Sequence, residues 1–276
     1  MSTPKISFIG GGNMARSLIG GLIADGTDPG RIHVAEPDAQ RREALHGQFG
    51  VSVHADNADA LSGSAAVVLA VKPQIMAGVA RQLAPLIAGQ PPLIISIAAG
   101  VREPDISRWL GGEVAVVRTM PNTPSLVQSG ATALYANARV SEAQRELAET
   151  ILRAVGLVVW VADEALLDAV TALSGSGPAY YFLVMEAMEA AGRALGLPAD
   201  TARLLTLQTA FGAAKMALES EESPGVLRER VTSPGGTTER ALGVLRDGGL
   251  EALFQQALSA ARDRAGELGD ALGDEA

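Results

Sequence analysis

The sequence predicts an α/β domain built on a doubly wound parallel sheet, followed by an all-helical domain. Short, unbroken apolar runs alternate with helical stretches as far as Trp160. Beyond Trp160 the strand signals stop and only helical patterns remain. Unbroken apolar strands belong to a sheet covered on both faces, since alternation disappears when neither face meets water. The change of pattern places a boundary near Ala162 and predicts domains at 1–162 and 163–276.

KISFIG opens the chain as a strand and runs into a glycine turn. A helix follows over 13–25, with Met14, Leu18 and Leu22 spaced by four. RIHVAE is a second strand and DAQRREALHGQF a second helix. A short third strand precedes Asn57. AAVVLAV reads as a buried strand, with a helix after Pro73. LIISIA and VAVVRTM are further strands. TALYA and LVVWV flank the helix SEAQRELAETILRAV and extend the sheet at its edge. Helices are then expected over 164–173, 178–195, 200–220, 225–230, 237–247 and 250–268, punctuated by Gly196-Leu197-Pro198 and Ser223-Pro224-Gly225. The tail 266–276 is expected to fray. The helices over 178–195 and 200–220 are apolar nearly all round, which predicts burial in a homodimer.

Composition removes several kinds of chemistry. The formal net charge is −9, and no dense Lys/Arg run occurs. Nucleic acid and anionic membrane surfaces both demand concentrated positive charge, so neither is an expected partner. There are no cysteines, which excludes disulfides, thiolate nucleophiles and Cys-ligated zinc. His33, His46 and His54 lack partners at metal-ligand spacing, so no metal site is expected. No signal peptide precedes Lys5, and the longest uncharged run is broken by SGSGP. A transmembrane helix is not expected, and the cytoplasm is the expected location.

The turn after the first strand, Gly10-Gly11-Gly12-Asn13-Met14-Ala15, fits G-x-G-x-x-G/A. Gly10 permits the tight turn. Gly12 lets the backbone approach a pyrophosphate. Ala15 lets the helix pack close to the strand, and the helix start offers N–H groups to phosphate. The motif alone is weak, but here it follows a strand, opens a helix and starts a βαβ unit. It predicts a Rossmann-type dinucleotide site in which Ile9, Gly10, Gly11, Gly12, Asn13 and Met14 bind the cofactor, NADPH or NADH. Glu36 ends the second strand, where an acid accepts hydrogen bonds from the adenosine ribose and favours NAD over NADP. Arg41 and Arg42 follow and can instead attract a 2′-phosphate; their other reading is a solvated helix face.

Ligands of open parallel sheets sit at the carboxyl ends of the strands. The stretch AVKP places Ala70, Val71, Lys72 and Pro73 at one such end. ISIAAG places Ser96 and Ala99 at the next, where small residues leave room for a nicotinamide ring. RTMPNTP places Asn122 and Thr123 at a third. Lys72 is one of only three lysines and adds a donor; its other reading is a surface loop lysine. Asn57 can reach the adenosine half or cap a helix.

FIGGGNMA, AVKP, MPNTP, AVTALSGSGPAYYF and VTSPGGTTERAL together resemble the pyrroline-5-carboxylate reductase family, from about residue 5 to about residue 268. LSGSGPAY and the SPGGTT loop are the specific parts; the glycine turn is generic. The resemblance implies a Rossmann domain and a helical domain that interlocks with its twin into a homodimer, with rings of dimers in many members. It implies reduction of 1-pyrroline-5-carboxylate to L-proline by NAD(P)H, the last step of proline biosynthesis. Many members carry a small polar residue where this chain has Glu36, and they prefer NADPH. Arg230 also stands where some relatives have a neutral amide.

The substrate so implied is a small cyclic imine with a carboxylate. Successive N–H groups of Gly235, Gly236 and Thr237 ahead of a helix can form an anion nest, with hydroxyls from Ser233 and Thr238 beside it. The other reading is a capped helix start, with Ser233 before Pro234 or Thr237 as the cap. The resemblance places Thr238, as the catalytic residue, nearest the substrate nitrogen. Glu164 is a further lining residue by resemblance, or a first-turn acid facing the helix dipole. Gly175 and Gly177 before Pro178 either pack a helix start closely or line the site. A β-hydroxyacid dehydrogenase is the nearest rival, but that chemistry places a lysine on the first long helix of the second domain. PAYYFLVMEAMEAAGRAL has none, and Lys215 lies on a later helix. A non-catalytic NAD(P)H-binding sensor is the rival from another class; turnover with the imine separates the two.

Overall fold

The computed structural model describes residues 4–274. The chain opens with three strand–helix units: β1 (Ile6–Ile9) and α1 (Asn13–Ala24), β2 (Ile32–Ala35) and α2 (Ala39–Phe49), β3 (Ser52–His54) and α3 (Asn57–Leu61). Then follow β4 (Ala66–Leu69), α4 (Met76–Ile87), β5 (Leu93–Ser96), α5 (Glu103–Trp109), β6 (Val116–Met120), β7 (Gly130–Ala136), α6 (Glu142–Arg153) and β8 (Gly156–Trp160). The strands form one eight-stranded sheet in the order β3-β2-β1-β4-β5-β6-β7-β8. The order reverses at β1, where ligands of such sheets bind.

The unbroken apolar strands are explained by cover on both faces. Ile6 and Phe8 pack with Leu18, Ile19 and Leu22 of α1 and Ile151 of α6. Ile9, Val67 and Ile94 pack on the other side with Met76, Ala80 and Leu83 of α4 and Ile106 of α5. Local signals agree with the helix starts. The Asp38 carboxylate accepts from the Arg41 N–H ahead of α2, and Ser141 with Gln144 forms a capping box on α6. The sheet is parallel except at β6–β7, which pair antiparallel. Residues 121–129 connect them through a short 3₁₀ turn, Thr123–Val127, with no helix to carry a crossover. α6 supplies that crossover for β8, which again runs parallel to β7.

The later chain holds α7 (Leu166–Val170), α8 (Gly177–Ala194), α9 (Ala199–Glu219), α10 (Pro224–Arg230), α11 (Thr237–Asp247) and α12 (Leu250–Asp274). Backbone contacts divide the described chain into two compact units. One runs to Ser176 and resumes at Ala260; the other is Gly177–Ser259. This division lies later than the Ala162 boundary read from the last strand. The reason is that the segment after β8 packs on the sheet domain. Glu164 meets Arg118, Asn122 Nδ2 donates to Ser174 O, and Met120 Cε fills the space beside Gly175.

The expectation of a frayed tail is corrected over 266–274. α12 continues to Asp274 and its end docks on the first unit, with residues 275–276 outside the described chain. Arg102 Nη2 donates to Gly266 O at 3.3 Å and pairs with Asp270 Oδ1 at 2.9 Å. Leu272 packs on the core beside α4 and α5. Glycines make the approach possible: a Cβ on Gly269 would lie 2.9 Å from Arg102 Nε.

In the second unit α8 packs on α9, with the Ala202 methyl against Gly192. Tyr181, Phe182, Leu183, Leu204, Phe211 and Leu218 stay largely exposed in the single chain. An apolar surface of that extent on one unit calls for a partner.

Two helix glycines give opposite expectations. A Cβ on Gly21 would lie 2.2 Å from Ala154 O, whereas one on Gly47 meets nothing within 4 Å. Gly21→Ala is expected to destabilise the fold by about 1–3 kcal/mol. Gly47→Ala is expected to stabilise it by about 0.5–1 kcal/mol through lost backbone entropy. Denaturant unfolding of both variants checks the pair.

Candidate active site

The glycine turn at the end of β1 is held from three sides. Gly10 N–H donates to Ala35 O at 2.8 Å, and Ala70 N–H donates to Ile9 O at 2.9 Å. Gly11 N–H donates to Glu36 Oε2 at 3.0 Å. Each glycine is required for a different reason. Gly10 has φ +99°, and a Cβ there would lie 2.7 Å from Ala70 O. A Cβ on Gly11 would lie 2.5 Å from Leu45 Cδ1. Gly12 has an ordinary φ of −70°, and a Cβ there meets nothing within 4 Å. The protein leaves the space beside Gly12 open at the start of α1, and no side chain caps that helix. An open cradle over uncapped N–H groups fits a dinucleotide pyrophosphate.

A cavity of about 610 Å³ continues from the turn between β1, α3 and α4. It brings together Ile9, Gly10, Asn57 and Val71 of the predicted cofactor residues. Gly11, Gly12, Asn13, Met14, Glu36, Ala70, Lys72, Pro73 and Ala99 are not in its lining. Asn13 opens α1, and Met14 packs partly into the core. Lys72 and Pro73 begin a 3₁₀ turn before α4, and Ala99 is exposed after β5. Asn57 is the first residue of α3, and Asp56 stands at the capping position. Sequence reasoning missed Pro37, Ile75, Val79 and Leu86 in the wall. Their signal was available: Ile75, Val79 and Leu86 share one face of the α4 segment, and Ile75 and Leu86 remain half exposed around the cavity.

Other singled-out residues have structural partners. Asn122 Oδ1 accepts from Ala131 N–H at 2.8 Å while its Nδ2 donates to Ser174 O at 3.0 Å, so it ties β7 to the Thr171–Gly175 π-turn. Ser96 is buried and its carbonyl accepts from Thr119 Oγ1. Glu164 Oε1 accepts from Glu103 N–H at 2.6 Å and from the buried Arg118 at 2.8 Å. Asp168 lies 4.0 Å from the same guanidinium. The missed residue here is Arg118, hidden because an arginine inside an apolar strand run carries no motif. Burial and the carboxylates of Glu164, Glu103 and Asp163 push the nearby Tyr135 phenol up. His33 Nδ1 and His54 Nε2 meet at 2.9 Å on β2 and β3, while His46 Nδ1 lies 3.0 Å from Val51 O.

In the second unit, the SPGGTT loop leads into α11 through Gly235, at φ +73°. Gly236 is the capping position, and no side chain caps the helix; Thr237 is the first helical residue. Gly236 N–H turns back to Ser233 O at 3.0 Å, and Gly235 N–H donates to Glu239 Oε2 at 2.7 Å. The glycine amides therefore shape the loop, and the first-turn N–H groups of Thr237 and Thr238 point ahead of an uncapped helix. Thr238 is half-buried; Ser233 and Thr237 are exposed. A hollow of about 570 Å³ adjoins Gly235, Gly236 and Arg240.

A pyrroline-5-carboxylate reductase of Pseudomonas aeruginosa is 54% identical over 99% of this chain and 100% of its own. The chain belongs to the pyrroline-5-carboxylate reductase family. A solved pyrroline-5-carboxylate reductase from Coxiella burnetii superposes with a TM-score of 0.94, at 50% identity over 97% of this chain and 99% of that one. The Plasmodium falciparum pyrroline carboxylate reductase, solved with NADP bound, matches with a TM-score of 0.85 and 27% identity over 98% of this chain and 99% of that one. The family model for pyrroline-5-carboxylate reductase dimerisation matches residues 164–268. It includes α8 and α9 with their bare apolar faces and supports a homodimer. A model described as NADP oxidoreductase, coenzyme F420-dependent, matches residues 5–100, which include the glycine turn and its cavity. This supports an NAD(P)H cofactor for a member of the reductase family.

Gly12→Ala is expected to keep its melting temperature and bind NADH about tenfold more weakly, because only the ligand meets the added methyl. Gly10→Ala is expected to lower the melting temperature, because its methyl meets Ala70 O. Thermal unfolding with and without NADH separates the two. Glu164→Ala leaves Arg118 without its closest counter-ion and is expected to cost about 3 kcal/mol in denaturant unfolding. A raised KM for the imine at unchanged stability would instead make Glu164 a substrate contact.

Proposed function

We propose that this chain reduces the C=N bond of 1-pyrroline-5-carboxylate to give L-proline, with NADPH or NADH as reductant. The observation that carries the reading is one chain holding both an open dinucleotide turn at Gly10–Gly12 and an uncapped helix start behind SPGGTT. Full-length likeness to curated reductases supports the same reading.

When bound, NAD(P)H would supply a hydride to the imine carbon, the ring carbon doubly bonded to nitrogen. The residues of this chain have three tasks. The N–H groups of Gly12 and Asn13 would hold the pyrophosphate, and Ile9, Met14, Asn57, Ala70, Val71, Lys72, Pro73 and Ala99 would serve the rest of the dinucleotide. In the loop that Gly235 and Gly236 shape, the first-turn N–H groups of Thr237 and Thr238, with the hydroxyls of Ser233 and Thr237, grip the substrate carboxylate. Thr238 Oγ1 accepts from the N–H of the protonated imine and fixes which ring face is presented. The C=N pair of electrons moves onto nitrogen as the hydride arrives at carbon, so the nitrogen keeps its proton and no further acid is required. Alignment and exclusion of water carry the rate.

The alcohol-oxidising rival needs a lysine base that α8 lacks. We extend the proposal to action in the cytoplasm and to dimers that assemble into a ring; light scattering counts the copies. Among the described residues, no helix is long and apolar enough to cross a membrane.

Thr238→Ala is expected to lower kcat/KM for the imine by about tenfold or more, the scale of one lost hydrogen bond to a charged group. Its melting temperature and NADH affinity should stay as in the parent chain. Unchanged steady-state kinetics would remove Thr238 from the site.

A further inference from the structure

The reading of the glycine turn as a dinucleotide site leaves open which of two reductants it takes. Glu36 argues for NADH, and the two arginines after it argue for NADPH. Their hydrogen bonds separate these possibilities.

Glu36 is only 5% exposed, at the end of β2. Its two carboxylate oxygens accept from different main-chain amides, Oε2 from Gly11 and Oε1 from Asp38 at 3.1 Å. The charge is thus fixed beside the phosphate turn and cannot swing away. Each oxygen retains a second lone pair for a ribose hydroxyl. Part of the Arg42 guanidinium is already committed to the main chain. Its Nη1 donates to the carbonyls of Glu36 and Pro37, both at 2.7 Å, which turns that part of the fork onto the main chain. The Arg41 main chain caps α2 through Asp38, and its side chain is exposed outside the lining of the adjoining cavity. The wall of the adjoining cavity carries two more carboxylates, Asp56 and Asp59; among the described residues, neither lysine nor arginine lines it.

We infer that this chain selects NADH over NADPH, with Glu36 as the residue that sets the selection. The inference rests on the cofactor site assigned above. A 2′-phosphate carries nearly two negative charges at neutral pH. At the ribose it would meet the fixed carboxylate of Glu36, with no cation in the cavity wall to compensate. A 2′-hydroxyl instead donates to that carboxylate. Like charges brought together without a partner are rejected, which is how such sites discriminate.

The test uses adenosine fragments, which report on this pocket without turnover. Calorimetric titration of the protein with 5′-ADP and with 2′,5′-ADP is expected to show about tenfold or tighter binding of 5′-ADP, the scale of one unfavourable charge contact. The kcat/KM ratio of NADH to NADPH should lean the same way. Glu36→Gln removes the charge and keeps one acceptor, and should narrow both gaps several-fold. The parent-chain titrations stand even if that variant folds poorly. Tighter binding of 2′,5′-ADP overturns the NADH inference and leaves the dinucleotide site standing. If neither fragment binds nor competes with NADH, the site assignment itself falls, and the inference with it.

Discussion

A main-chain amide held by a buried carboxylate fixes the working end of the sheet. The Gly11 N–H and Glu36 Oε2 meet across the turn that joins β1 to α1. Gly10, at positive φ, brings the same turn against the carbonyl of Ala70. With the Gly10 bond to Ala35, these contacts bind the ends of β1, β2 and β4 into one rigid edge. The space beside Gly12 is left open because its neighbours are locked. A site that must align a hydride donor gains from such rigidity, since a small displacement of the reacting atoms costs large factors in rate.

A second constraint organises the far side of the sheet. Arg118 is buried on β6, and a buried guanidinium without a counter-charge is strongly unfavourable. Glu164 and Asp168 supply the charge from the segment after β8, and Glu164 also accepts from the Glu103 N–H at the start of α5. The need to compensate one cation therefore holds the chain after β8 against the sheet as far as the π-turn. The end of α12 meets the α5 region through Arg102, which explains why the first unit takes back the last residues of the chain.

Glycines were legible as motif positions, but their separate roles were not. Spacing gave Gly10 a conformational role and Gly12 a ligand role, and counted Gly11 among the cofactor residues without a reason for a glycine there. The structure shows Gly11 pressed against Leu45, a residue 34 positions away, by a contact that no local pattern encodes. The same holds for Glu36 and Arg42. The sequence presented a carboxylate and two cations at one turn, and only the hydrogen bonds decided that the carboxylate is the charge fixed against that turn. In the SPGGTT loop, the glycine amides expected to hold an anion instead bond to Ser233 and Glu239, so the uncapped amides lie one turn further into α11.

The sequence by itself determined the succession of strands and, except for the short α5, of helices, together with the doubly wound class, the glycine turn and the apolar character of α8 and α9. These follow from periodicity and from backbone geometry, both of which act over a few residues. Tertiary structure alone decided the antiparallel pairing of β7, the burial of Arg118, the docking of the chain end and the partners of Glu36. Each of these joins residues far apart in the chain, and a buried charge or a close approach is satisfied by whatever group the fold brings near, not by its neighbours in sequence.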